Sequence, residues 1–71
     1  MKTILDIRNL LRQYGSFIYT GDRIGDLMMM EDEIRELYKS QILDVKEYQS
    51  ALLIIRNEIK LEEERKMNVK Y

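Results

Sequence analysis

Apolar residues along this chain fall into three stretches of helical period, separated by short breaks that carry helix start and stop signals. In the first stretch Ile4, Ile7, Leu11 and Tyr14 share one stripe with Leu10 beside it, the spacing of a helix that buries one face. Thr3 stands where a capping side chain would, and Asp6 stands at the third helical position, where a carboxylate meets free backbone N–H groups. Gly15 then supplies a residue able to take the positive φ that closes a helix. The pattern predicts a helix over 4–14.

In the second stretch Ile24, Leu27, Met30, Ile34, Leu37 and Tyr38 keep the period, Met28 and Met29 widen the apolar arc, and Asp22 is the capping residue. A helix is predicted over 23–39. Gly25 falls inside its first turn, at a cost of about 1 kcal/mol relative to alanine, so either that turn frays or a neighbour comes close to it. The third start is the clearest. In Asp44-Val45-Lys46-Glu47 a cap is followed three residues later by glutamate, and Leu43 and Tyr48 occupy the two positions of a hydrophobic staple. Tyr48, Leu52, Ile55 and Ile59 line one face, with Ala51 and Leu53 or Ile54 at its margins. This predicts a helix over 45–64. Past Leu61 the chain reads Glu62-Glu63-Glu64-Arg65-Lys66 and the stripe stops. Residues 1–61 are therefore read as a three-helix domain, and 62–71 as a charged C-terminal extension, partly helical or frayed.

Short connections place successive helices antiparallel, so the expected fold is all-α, a single-domain antiparallel three-helix bundle. The connection after Gly15 is unusual because Phe17, Ile18 and Tyr19 are all apolar. Their propensity suits a strand, but no second strand pattern exists to pair with it. They are expected to pack across the helix ends, as a core plug or as half of a binding surface.

Composition narrows the function. With 71 residues there is room for one core. Without cysteine no disulfide can staple it, although secreted domains of this size are usually stapled. No apolar run approaches the roughly 20 residues of a membrane span, and Asp6, Arg8 and Arg12 interrupt any signal-peptide core. By elimination the expectation is a cytoplasmic protein with no membrane partner. Twelve basic and thirteen acidic residues give a net charge of −1, unlike a strongly basic nucleic-acid binder.

The absence of His and Cys removes zinc sites and Ser-His or Cys-His nucleophiles within one chain. Gly15, Gly21 and Gly25 match no phosphate-binding fingerprint. Glu31, Asp32, Glu33 and Glu36, and then Glu62 to Glu64, could offer oxygen ligands to a hard cation. Their spacing to Arg35 and Lys66 instead suits solvated helix faces, with Glu31–Arg35 and Glu62–Lys66 as pairs one turn apart. The chain is read as no enzyme, with no catalytic residue, no metal site and no cofactor.

Two surface features remain. Arg8 and Arg12 lie one helical turn apart, Tyr19 and Arg23 flank the Gly21-Asp22 corner, and Arg56 lies on the third helix. If they converge, the arginines could track a phosphate backbone while Tyr19 stacks a base; otherwise their stems cover the core margin and their heads pair with nearby carboxylates. Met28, Met29 and Met30 point about 100° apart from one to the next. At least one of them is thus exposed or buried against another molecule, a role that suits the adaptable methionine side chain.

The string Leu-Leu-Arg-Gln-Tyr-Gly-Ser-Phe-Ile-Tyr-Thr-Gly-Asp-Arg over 10–23, with Glu36-Leu37-Tyr38 and Ala51-Leu52-Leu53-Ile54-Ile55-Arg56-Asn57-Glu58, resembles the YqgQ-like family of small cytosolic proteins from Gram-positive bacteria. The resemblance covers about Ile4 to Ile59. It implies a three-helix bundle and a single-stranded nucleic-acid-binding role, brings no catalytic residues, and sets the basic pattern on Arg12, Arg23 and Arg56. Two readings follow. One is a module for single-stranded RNA or DNA using Arg8, Arg12, Tyr19, Arg23 and Arg56. The other is a protein-interaction module or homodimer using Phe17, Met28 and Met29 within the apolar Phe17–Tyr19 and Met28–Met30 surface.

Overall fold

A computed structural model describes residues 2–68. It contains α1 (Ile4–Gln13), α2 (Arg23–Lys39) and α3 (Val45–Asn68), with no strand among the described residues. Each helix starts where its cap predicts. The Thr3 hydroxyl accepts the Asp6 N–H at 3.3 Å, and the Asp6 carboxylate accepts the N–H groups of Thr3 and Lys2. Asp22 accepts the Gly25 N–H at 3.0 Å. Asp44 and Glu47 exchange the same pair of bonds, at 2.8 and 3.1 Å. These side chains satisfy donors that the helix itself leaves free.

Two helices end in one way. At the end of α1 the Gly15 N–H reaches the Arg12 carbonyl and the Ser16 N–H reaches that of Leu11, with Gly15 at φ 83°. At the end of α2 the Gln41 N–H reaches Tyr38 and the Ile42 N–H reaches Leu37. This is the Schellman arrangement. In α2 its left-handed position falls on Gln41, at φ 65°, where a side chain is strained.

The core consists of Ile7 and Leu11 from α1, Leu27, Met30, Ile34 and Leu37 from α2, Leu43 from the turn, and Ala51 and Ile55 from α3. α2 and α3 run antiparallel. Tyr38 stacks on Tyr48 with ring centroids 4.2 Å apart and planes 5° from parallel, and further along Glu31 pairs with Arg56 and Asp22 with Lys66. Gly25 stays helical. A Cβ there would lie 3.1 Å from Asp22 Oδ2 and 3.3 Å from Thr20 Oγ1, so the close neighbour, and not fraying, accounts for the glycine.

Of the two forms expected for the extension, its described part takes the helical one. α3 runs past 64 to Asn68 without a break, and it is docked: Lys66 Nζ lies 3.5 Å from Asp22 Oδ1. Glu62 therefore pairs with Arg65, at 3.1 Å, and not with Lys66. Polar residues can extend a helix when a neighbour supplies opposite charge, which an apolar period does not register. The last residues of the expected extension, 69–71, lie outside the described residues. Tyr14, expected as the last residue of the first helix, is its C-cap.

Replacing Ile34 or Ile55 with alanine removes fully buried side chains and should cost about 2–5 kcal/mol in urea unfolding, a large share of the stability of so short a chain. Gln41→Gly should raise the stability by about 0.5–1 kcal/mol in the same assay, because relief of the left-handed conformation exceeds the added entropy of the unfolded glycine.

Candidate functional site

The connection between α1 and α2 lies along one side of α2, held at both ends by carboxylates of that helix. Near its start the Ser16 hydroxyl donates to Glu33 Oε2 at 3.2 Å. Near its end the Thr20 N–H and hydroxyl both donate to Asp26 Oδ1, each at 2.6 Å. Asp26 and Glu33 are two helical turns apart on the same face of α2, a separation of about 10 Å that a near-extended chain from Ser16 to Thr20 covers. Period-two alternation follows. Ser16 and Ile18 are half-buried, whereas Phe17 and Tyr19 stand 77% and 86% exposed.

Between this strap and the second half of α1 lies a cavity of about 200 Å³, lined by Arg8, Leu11, Arg12, Ser16, Phe17, Ile18, Tyr19 and Met30. Leu11 and Met30 are buried core residues and give it an apolar floor. Arg8 and Arg12 form one wall and the aromatic side chains the other. A space of this size admits a single ring or a small side chain and falls below the roughly 300–1,000 Å³ of a drug-sized ligand pocket.

Asp26 is the one buried charged residue among those described, at 7% exposure. Its carboxyl is held below the usual carboxylate range, first by the Thr20 hydroxyl, then by the Thr20 N–H, with the positive charges of Arg8 and Arg23 acting in the same direction against desolvation. Hydrogen bonds to the ionised form dominate, as expected for a carboxylate that accepts short bonds.

The structure divides the expected nucleic-acid contacts into two groups. Arg8, Arg12 and Tyr19 meet at the cavity, and Phe17, expected at a partner surface, joins them. Arg23 and Arg56 do not line it. Arg23 pairs with Glu58 at 3.4 Å and Arg56 with Glu31 at 3.7 Å, both across the α2–α3 seam. Arg8 and Arg12 make no ion pair among the described residues. The methionines do not form one surface with the strap: Met30 is buried and contributes to the cavity floor, while Met28 lines a separate depression with Glu31, Asp32 and Ile59. Met28 and Met29 are 57% and 46% exposed. Among the described residues no three acidic side chains converge as a metal site, and no helix is long and apolar enough to cross a membrane.

Asp26, Ser16 and Thr20 were not singled out by sequence, and Glu33, grouped there with a solvated helix face, instead accepts the Ser16 hydroxyl. Their signal was the alternation Ser16-Phe17-Ile18-Tyr19-Thr20, polar or core-facing at even positions and aromatic at odd ones. It reads as a strand until a helix is recognised as the partner. A titration checks the anchor. Since the folded Asp26 carboxyl titrates below its unfolded value, near 4, its contribution is fully present above that pH and is lost as pH falls through the folded value. Thermal melts from pH 5 to pH 2 should show stability falling with acid, and the fall should be shallower in Asp26→Asn.

The family pattern described as YqgQ-like matches residues 1–61, which include the strap, both unpaired arginines and the whole cavity. The Bacillus subtilis (strain 168) protein named Uncharacterized protein YqgQ is 32% identical over 59 residues, an alignment that spans 83% of each chain. With a match across all three helices, the chain belongs to the YqgQ-like family.

Proposed function

We propose that this protein is a small binding module for single-stranded nucleic acid, with Arg8 and Arg12 on phosphates and the exposed rings of Tyr19 and Phe17 against bases. The observation that carries this reading is the meeting of two arginines without carboxylate partners and two largely exposed aromatic side chains around one small cavity. An aromatic ring is a sequence-tolerant platform for any base, and a neighbouring cation holds the strand to it. Arg23 and Arg56 are neutralised by Glu58 and Glu31 and add little to phosphate binding. The overall charge of −1 thus coexists with a local cationic wall. A ligand of this kind agrees with residence in the cytoplasm and requires no catalysis. The protein-interaction reading loses its combined surface, because Phe17 belongs to the cavity and Met28 to another depression.

The test is binding of a labelled single-stranded oligonucleotide over a salt series. Each neutralised phosphate of a single strand contributes about −0.7 to the slope of log K against log salt, so two arginines give about −1.4 and four would give about −2.8. We expect the smaller slope. Arg12→Ala should weaken binding and reduce the slope by about 0.7, and Arg56→Ala should leave both nearly unchanged. No binding at low salt, or equal binding by an Arg8→Ala/Arg12→Ala variant, overturns the reading.

A further inference from the structure

The strap fixes not only that two rings are exposed but how far apart they stand. Phe17 and Tyr19 are alternate residues of a near-extended segment, so they project to the same side with their Cα atoms about 6.6 Å apart. Successive stacked bases of a strand rise about 3.4 Å. A strand that places neighbouring bases on the two rings must spread them to about twice that spacing and give up their mutual stacking. The rings cannot close the gap, because Ser16 is tied to Glu33 and Thr20 to Asp26 on either side of them, and Ile18 between them is packed on the core.

We propose that the Phe17–Tyr19 strap is a preformed two-base platform that selects weakly stacked, pyrimidine-rich single strands, with Asp26 and Glu33 as the positioning residues that hold its spacing. The inference rests on the nucleic-acid reading above and adds the class of strand to it. Adenine runs stack strongly and resist being spread; thymine and uracil runs stack weakly and reach the platform at little cost, which is how sequence-tolerant sites acquire pyrimidine preference. Asp26 is well placed to separate this role from simple charge. It lies near Arg8 and acts on the same field. Removal of its negative charge alone should strengthen binding of an anionic strand, whereas loss of its grip on Thr20 should weaken it.

The experiment compares labelled oligo(dT), oligo(U) and oligo(dA) of equal length, at one ionic strength, with the wild-type chain and with Asp26→Asn and Asp26→Ala. Asparagine removes the charge but keeps an oxygen acceptor for Thr20; alanine removes both. We expect the wild type to bind oligo(dT) and oligo(U) about fivefold or more tighter than oligo(dA). Asp26→Asn should bind at least as tightly as wild type and keep the preference. Asp26→Ala should bind oligo(dT) more weakly and discriminate little. Circular dichroism confirms the helices, and if Asp26→Ala does not fold it is replaced by Ser16→Ala/Asp26→Leu, which removes the Ser16 donor and the acceptor of both Thr20 bonds while placing an apolar side chain in α2. Equal affinity for the strands in wild type, or full preference in the variants with the anchors cut, overturns this inference and leaves the nucleic-acid reading standing. No binding of any strand overturns both.

Discussion

Everything in this molecule depends on α2 burying its one apolar stripe. Leu27, Met30, Ile34 and Leu37 face α3 and α1 together, so neither outer helix has a core without it. A chain of 71 residues with no cysteine has no covalent alternative. The two flanks of that stripe then take on different work. One flank carries Glu31, which reaches Arg56 and closes the seam with α3. The other carries Asp26 and Glu33, which hold the connection from α1. A single helix therefore sets both the packing of the bundle and the shape of the cavity.

Carboxylates decide which arginines remain available. Glu31 lies between Arg35, at 3.0 Å, and Arg56, and Glu58 takes Arg23. Exposed pairs of this kind contribute little stability each, but they cancel charge where it would otherwise attract anions. Arg8 and Arg12 form no such pair among the described residues, while Asp26 and Glu33 on α2 accept hydroxyl and N–H donors of the strap. Ser16 and Thr20 thus satisfy Glu33 and Asp26 by hydrogen bonds rather than by direct ion pairs, and the charges of Arg8 and Arg23 act on Asp26 only as a further, smaller effect.

The helices were legible because their signals are local. Thr3, Asp22 and Asp44 each bind donors within three or four residues, and Gly15 closes α1 within the same span. The end of α2 was less legible, since its left-handed position falls on glutamine, a residue that carries no such mark. The apolar stripe of α3 ends near Leu61 although the helix continues to Asn68, where Lys66 finds its partner at Asp22, far away in sequence. The site followed the same division. Arg8 and Arg12, one turn apart, could be grouped from sequence. Whether Arg23 and Arg56 joined them depended on Glu58 and Glu31 across the seam, which no spacing rule supplies. The apolar connection reads as a core plug or half of a binding surface; Ile18 packs on the core while the two rings stand exposed.

The antiparallel α2–α3 seam also orders the assembly of the chain. Its contacts begin with Tyr38 on Tyr48 beside the turn and move outward to Asp22 and Lys66 at the far end. Loop-closure entropy rises with the length of chain enclosed, so the ring stack is the cheapest of these contacts to form and each one made shortens the search for the next. With no proline in the chain there is no slow isomerisation to wait for. The hairpin can thus close like a zip from its turn, and α1 with its strap docks onto a surface that already exists. The strap that offers the cavity is then the last part to reach its place, held by Ser16 on Glu33 and Thr20 on Asp26 of a helix already packed.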